Sequence, residues 1–225
     1  MVSCQYCNVH LPKSEAMTYE QRFYCSSEHL HALDRQGWLG SAKWRISPNQ
    51  DVRPENIPLD LAVIHHISLP PREFKNKNAS HYIVDFFQNT LDIYSHPYFA
   101  EIASQKVSSH FLIARSGELI QFVSTQNKAW HAGVSSFMGR ERCNDFSIGI
   151  ELEGDGESAF EESQYETLAV LVKKLAASYP NLQFAGHSDI APDRKTDPGM
   201  YFDWKKFQKE TGIAPKNLPY GVASR

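Results

Sequence analysis

Thirteen bonds of chain, Gly186-His187-Ser188-Asp189-Ile190-Ala191-Pro192-Asp193-Arg194-Lys195-Thr196-Asp197-Pro198-Gly199, carry the densest set of reactive side chains in the sequence. The stretch packs His, Lys and Asp into a loop rich in Pro and Gly, and such loops carry chemistry more often than packing. The apolar run Leu182 to Ala185 before it reads as a strand, so His187 sits at a rigid strand end. Asp197 precedes Pro198-Gly199, a turn that restricts the backbone around the carboxylate. Zinc takes imidazole and carboxylate ligands, and a catalytic zinc has three protein ligands and an open position for water. The plain alternative is a hydrogen-bonded loop pair, and a third donor elsewhere is what separates the two.

That donor has to be delivered by another element. Leu59 to Ile64 is apolar and ends in β-branched residues, so it reads as a buried strand tipped by His65-His66. Neighbouring strand residues point to opposite faces, so one of the two reaches a metal and the other lines the site or packs. Residues 145 to 154 are the most strand-like run. Phe146, Ile148, Ile150 and Leu152 alternate with Ser147, Gly149, Glu151 and Glu153. Gly149 inside a strand signals a close approach by another group. Glu151 beside that space could act as a general base, and a solvated strand face is the alternative.

The remaining elements follow from periodicity. Helical spacing covers His81 to Asp92 and Ser163 to Tyr179, the latter with Ser163 and Glu166 as a capping box and Leu168, Leu171, Val172 and Leu175 as its buried stripe. A short helix is expected near Ile102 and a last one over 200 to 211, ending at Gly212. Val107 to Ala114 and Glu118 to Val123 read as strands joined by a hairpin at Arg115-Ser116-Gly117. His110 inside its strand reads as a core residue or as support for a ligand. Trp130-His131, flanked by Ala and Gly, could be a binding wall or a packed Trp with a satisfied His. Residues 72 to 80 read as a polar loop.

Residues 1 to 33 look like a separate module. Cys4 and Cys7 form a C-x2-C knuckle, and Cys25 and His29 a C-x3-H pair, which together suit a closed tetrahedral zinc site. His10 and His31 are rival fourth ligands. So short a segment needs a metal to supply its folding free energy. It resembles short bacterial zinc-ribbon modules on Pro12, Ser14, Glu15 and Ala16 and on the Tyr24-Cys25-Ser26 and Glu28-His29 steps. Residues 34 to 58, with three Pro and two Gly, read as a linker draped on a main domain at 59 to 212 and pinned by Trp38 and Trp44. Residues 213 to 225 read as a loose tail.

The 225 residues allow one medium domain plus a small module. A net charge of -3 excludes the basic footprint of a nucleic-acid binder. No run is long enough to span a membrane. The start, Met1 to Cys7, lacks the basic and apolar regions of a signal peptide. Four Cys, three crowded near the start, fit a reducing compartment and a metal site, so a cytoplasmic protein is expected.

Taken in order, Val63-Ile64-His65-His66-Ile67-Ser68-Leu69-Pro70-Pro71, Trp130-His131-Ala132-Gly133-Val134-Ser135, residues 139 to 154 and the Gly186 loop resemble the zinc-dependent N-acetylmuramoyl-L-alanine amidases of the AmpD type. The resemblance spans about residues 37 to 207. It implies a mixed α/β fold with a central, mainly antiparallel sheet flanked by helices. It implies His65, His187 and Asp197 as ligands of a catalytic zinc, and Glu151 and Lys195 as catalytic groups. Trp130, Arg142 and His66 are then expected to contact a small muropeptide, His66 standing where the family usually has Asn. The bond cut would join the lactyl group of (1,6-anhydro-)N-acetylmuramic acid to L-alanine of the stem peptide, in cell-wall recycling. The N-terminal module is an addition to that family's core, with a partner that the sequence does not name. A recognition module that binds muropeptide without cutting it is the alternative from another class.

Overall fold

A computed structural model describes residues 1–74 and 79–223. Its centre is a six-stranded sheet built from β1 (Lys43–Trp44), β2 (Leu61–Ile67), β3 (Phe111–Ile113), β4 (Leu119–Gln121), β5 (Ser147–Glu153) and β6 (Gln183–Gly186), in the order β6-β2-β5-β3-β4-β1. Residues Leu61 to His65 and all of β5 are buried, as strands covered on both faces must be. Helices α1 (Ala79–Phe87) and α2 (Phe99–Ile102) cover one face through Ile83, Phe86, Phe87 and Phe99. Helices α3 (Glu162–Ser178) and α4 (Trp204–Thr211) cover the other, burying Leu168, Leu171, Val172, Leu175, Trp204 and Phe207 against Ile64, Ile148 and Ile150.

The mixed α/β class with flanking helices is as expected, but the sheet is mixed and not mainly antiparallel. The ladders β6–β2, β2–β5, β5–β3 and β4–β1 are parallel, and β3–β4 is antiparallel. Antiparallel neighbours can be joined by a tight hairpin, whereas parallel ones need a crossover. Within the sheet Arg115-Ser116-Gly117 supplies the hairpin, with Gly117 at φ +83°. The strand β2 also runs on through His65, His66 and Ile67, so the two imidazoles lie within the ladder and not at its tip.

Three other expectations change. Residues 34 to 58 are part of the fold: Lys43–Trp44 form the sheet edge, and Gln50–Val52 pair with Asn127–Ala129. Trp38 and Trp44 lie against each other, tilted, with ring centroids 5.0 Å apart. The tail is anchored as far as residue 222, because Leu218 is buried in the core, Ile213 and Val222 pack on it, and Asn217 donates to the Leu182 carbonyl at 2.7 Å. The α3 cap falls two residues earlier than Ser163: Glu161 N–H donates to Gln164 Oε1 at 3.0 Å, while Ser163 Oγ bonds the Arg115 carbonyl. The α4 stop at Gly212 holds, with φ +71° there. Part of the loop 72–80 lies outside the described residues.

The N-terminal module consists of two small ladders, Val2–Ser3 with His10–Leu11 and Met17–Tyr19 with Arg22–Tyr24, followed by a one-turn helix at Ser27–His31. Its buried apolar set is Cys4, Tyr24 and Leu30. That is too little to hold a unit of this size without help. Among the described residues no helix is long and apolar enough to cross a membrane.

Candidate active site

Parallel pairing of β2 with β5 sets His65 directly beside Glu151, on the same face of the sheet. The strand β6 pairs with the other side of β2 and ends at Gly186, so His187 emerges next to them at the start of a one-turn helix, His187–Ile190. The chain returns at Asp197, whose carbonyl accepts from Ser188 N–H at 2.8 Å. Three donor atoms meet there. His65 Nδ1 lies 2.9 Å from His187 Nδ1 and 2.9 Å from Asp197 Oδ2, and His187 Nδ1 lies 3.0 Å from the same oxygen. All three residues are buried.

This donor set fits a metal ion. The Ala132 carbonyl can only accept, so it takes the proton of His187 Nε2, 3.0 Å away. With its proton on Nε2, the His187 ring is free to offer its Nδ1 lone pair beside the Asp197 oxygen. Burial drives the His65 pKa down to about 4, so that ring is neutral at neutral pH. Burial pushes the Asp197 carboxyl up, but the two imidazoles outweigh it and hold the carboxyl well below the usual range. Two lone pairs and a carboxylate crowded at 3 Å with few protons repel one another unless a cation sits among them. Ligands about 2.0–2.1 Å from a tetrahedral zinc lie roughly 3.3 Å apart, close to the spacing seen.

The group opens into a cavity of about 360 Å³ that Glu151, Lys195, His66 and Trp130 also line. Glu151 is buried, and its Oε2 has no hydrogen-bond partner. Burial, with the Asp197 charge adding to it and Lys195 opposing, raises its pKa well above the ordinary value. The polar face of β5 is thus enclosed and not solvated. His66 reaches the cavity from the other side of the strand, with its Nδ1 buried and unpartnered. Trp130 is held by Nε1 donating to Asp51 at 2.8 Å. Arg142 is not brought to this cavity. It is exposed, pairs with Asp145 at 3.1 Å and lines a separate groove of about 530 Å³ along residues 133–136 and 190–194.

Sequence reasoning read His110 as a core residue or support, and it is buried, but missed the other residues that hold the site in place. His131 is a half-buried support behind His65, 2.9 Å from His65 Nε2 through its Nδ1 and 3.1 Å from Ser147 Oγ through its Nε2. A partner on the non-ligating nitrogen fixes a ligand's orientation and basicity. Gly149 was the available signal, because the group that approaches it is the His131 ring. A Cβ there would lie 2.6 Å from His131 Cγ and 2.7 Å from Ser109 Oγ. Gly149→Ala is therefore expected to cost about 1–3 kcal/mol by overpacking and to weaken metal binding with it. Denaturant unfolding and metal titration check this, and an unchanged midpoint and affinity would refute it. His110 lies behind the pair, accepting from Gly149 N–H at 3.0 Å. Arg53, half-buried beneath, donates to the Thr125, Asn144, Asp145 and Ser147 carbonyls at 2.8–3.1 Å. Asn144 Oδ1 in turn accepts from His131 N–H and Ala132 N–H. No local pattern around Arg53 announces that role.

Known proteins resemble this chain in sequence and fold. The family described as N-acetylmuramoyl-L-alanine amidase matches residues 55–200, which include His65, Glu151, His187, Lys195 and Asp197. The chain is 51% identical over 178 residues to the 1,6-anhydro-N-acetylmuramyl-L-alanine amidase AmpD of Escherichia coli, covering 78% of this chain and 95% of that protein. It is 50% identical over 175 residues to the Citrobacter freundii AmpD, covering 77% and 91%. A crystal structure of a selenomethionine AmpD derivative superposes with a TM-score of 0.74 at 49% identity, covering 78% of this chain and 97% of that one. On the matched span and these identities, the chain belongs to the N-acetylmuramoyl-L-alanine amidase family.

Proposed function

We propose that the chain is a zinc-dependent amidase that releases stem peptide from 1,6-anhydro-N-acetylmuramic acid by cutting the lactyl–L-alanine amide. The observation that carries this is the pairing of the His65, His187 and Asp197 donor group with an unpartnered, buried Glu151 carboxylate in one cavity. His65, His187 and Asp197 would hold the ion. When bound there, zinc supplies Lewis-acid polarisation of a carbonyl and makes water more acidic. Glu151, with its raised pKa, takes the proton of the attacking water and delivers it to the leaving L-alanine nitrogen. Lys195, at the cavity wall, offers its ammonium to the oxyanion that forms when the amide carbonyl is attacked. His131 and the Ala132 carbonyl keep the two imidazoles aimed inward.

The anhydro sugar enters from the names of the half-identical relatives. A cytoplasmic place in cell-wall recycling follows from that substrate, a turnover product of wall rather than wall itself. His66 and Trp130 are proposed as substrate contacts, since both line the cavity, and Arg142 could act only on a part of the substrate that reaches the second groove. No observation favours the binding-only alternative, because the carboxylate, the ammonium and the three donors are all present.

Incubation with anhydro-muropeptide is expected to yield free stem peptide by mass spectrometry. Exhaustive chelation is expected to stop it and added zinc to restore it. Full activity in metal-free protein would sink the zinc reading. Tight binding of the muropeptide with no release by the zinc-loaded protein would favour recognition without catalysis.

A further inference from the structure

Residues 1–33 contribute nothing to the cavity above, yet they carry a second convergence of donors. Cys4, Cys7, Cys25 and His29 come from the first ladder turn, the end of the second ladder and the short helix, and one ligand atom from each lies within 4.8 Å of all the others. Cys25 Sγ is 3.0 Å and Cys4 Sγ 3.7 Å from His29 Nδ1, and Cys7 Sγ is 3.7 Å from Cys25 Sγ. Thiolates about 2.3 Å from a tetrahedral zinc lie roughly 3.8 Å apart. The rivals do not enter the group: His10 bonds Ser3 Oγ at 3.1 Å, and His31 lines a groove against the main body. His29 is held for the task. Ser26 Oγ caps its helix by accepting from His29 N–H, and its ring stacks on Tyr6 with centroids 4.3 Å apart.

The same small unit grips the edge of the sheet. The Arg22 guanidinium lies over the Trp44 ring at 3.7 Å and donates to the Ala42 carbonyl at 2.7 Å. Glu20 pairs with Arg45 at 3.1 Å. Tyr24, which shares a buried cluster with Cys4, donates to the Gly40 carbonyl at 3.4 Å. Gly40 has no room for a side chain, since a Cβ there would lie 2.9 Å from the Tyr24 ring. An edge strand exposes unpaired backbone groups and needs cover.

We infer that Cys4, Cys7, Cys25 and His29 hold a zinc ion in a closed tetrahedral site, and that this ion keeps the module folded as a clamp on the β1 edge. Four protein ligands leave no open position, so the ion is structural. The contacts at Arg22 and Tyr24 lie on the strand that ends at Tyr24, directly before Cys25. Loss of the ion therefore loosens the clamp.

Cobalt distinguishes this site from the catalytic one, because His65, His187 and Asp197 contain no sulfur. The reduced full chain loaded with Co²⁺ is expected to bind two equivalents and to show thiolate-to-cobalt charge-transfer absorption in the near ultraviolet. Cys7→Ser and Cys25→Ser are expected to weaken or lose that band and the second equivalent. His29→Cys is expected to strengthen the band, and His10→Ala and His31→Ala to leave it unchanged. Hydrogen exchange of residues 39–45 is expected to quicken in Cys25→Ser while β2 stays protected. A reduced wild-type chain that takes up cobalt without the band overturns the site, whatever the amidase assays show. A wild-type chain that shows the band, with exchange at 39–45 unchanged when Cys25→Ser loses its metal, overturns the clamp.

Discussion

Asp197→Ala is expected to empty the catalytic metal site and to remove turnover by roughly a thousandfold or more, since a metal's Lewis-acid contribution is several kcal/mol and each 1.36 kcal/mol is tenfold in rate. The size of the effect follows from the charge balance. Asp197 is the only anion in the donor group, and its Oδ2 lies 2.9 Å and 3.0 Å from the two imidazole nitrogens. Without it, a divalent ion would meet two neutral rings in a buried place, and nothing there would offset its lost hydration. The fold is expected to survive. Asp197 lies on a loop outside the apolar clusters, and Ser188 N–H bonds its backbone carbonyl, which Ala keeps. Metal analysis and turnover on the same preparation decide the matter. The N-terminal site would keep its own ion, so one metal equivalent should vanish. A variant that retains full metal content and wild-type turnover would show that Asp197 is not a ligand.

The parts of this site that could be read from the sequence are those that local pattern encodes. An apolar run ending in His65-His66, a Pro-Gly loop with His187 and Asp197, and an alternating strand with Glu151 each carry their signal within about ten residues. The Gly149 signal was legible as a close approach, although not what approached. What stayed hidden depends on pairings between distant segments. Whether β2 lies parallel to β5 is decided by the crossover through the helices between them, not by either strand. Arg53 serves four carbonyls 72 to 94 positions away, and nothing beside it in sequence marks it. Residues 34 to 58 looked like a linker because three Pro and two Gly stand among many polar residues, yet β1 needs only two residues to complete the sheet edge. A strand so short leaves no periodicity to read.

Glu151→Gln tests the chemistry apart from the metal. The substitution keeps the shape of the side chain and removes its capacity to take a proton. Proton transfer by a positioned side chain typically contributes about 10²–10⁴-fold, so turnover is expected to fall by that much. The catalytic metal is expected to stay, because Glu151 is not among the three converging donors. The environment supports a proton carrier over a structural carboxylate. A carboxylate kept for stability would be hydrogen-bonded, as Glu153 is to Ser80 Oγ at 2.7 Å and to Arg115 N–H at 2.8 Å. Glu151 Oε2 instead faces the cavity without a partner. Burial and the nearby Asp197 charge favour its protonated form, so its pKa is raised. The sign for the pH profile follows. A raised pKa means that the base is protonated and inactive at a higher pH than an ordinary carboxylate, so activity falls with acid earlier than the usual carboxylate range. Glu151→Gln is expected to remove that acid limb as well as the rate. The two readouts separate a proton carrier from a wall residue, which would change KM and leave the shape of the profile intact. Turnover near wild type, or an acid limb that persists in the variant, would mean that another group handles the proton.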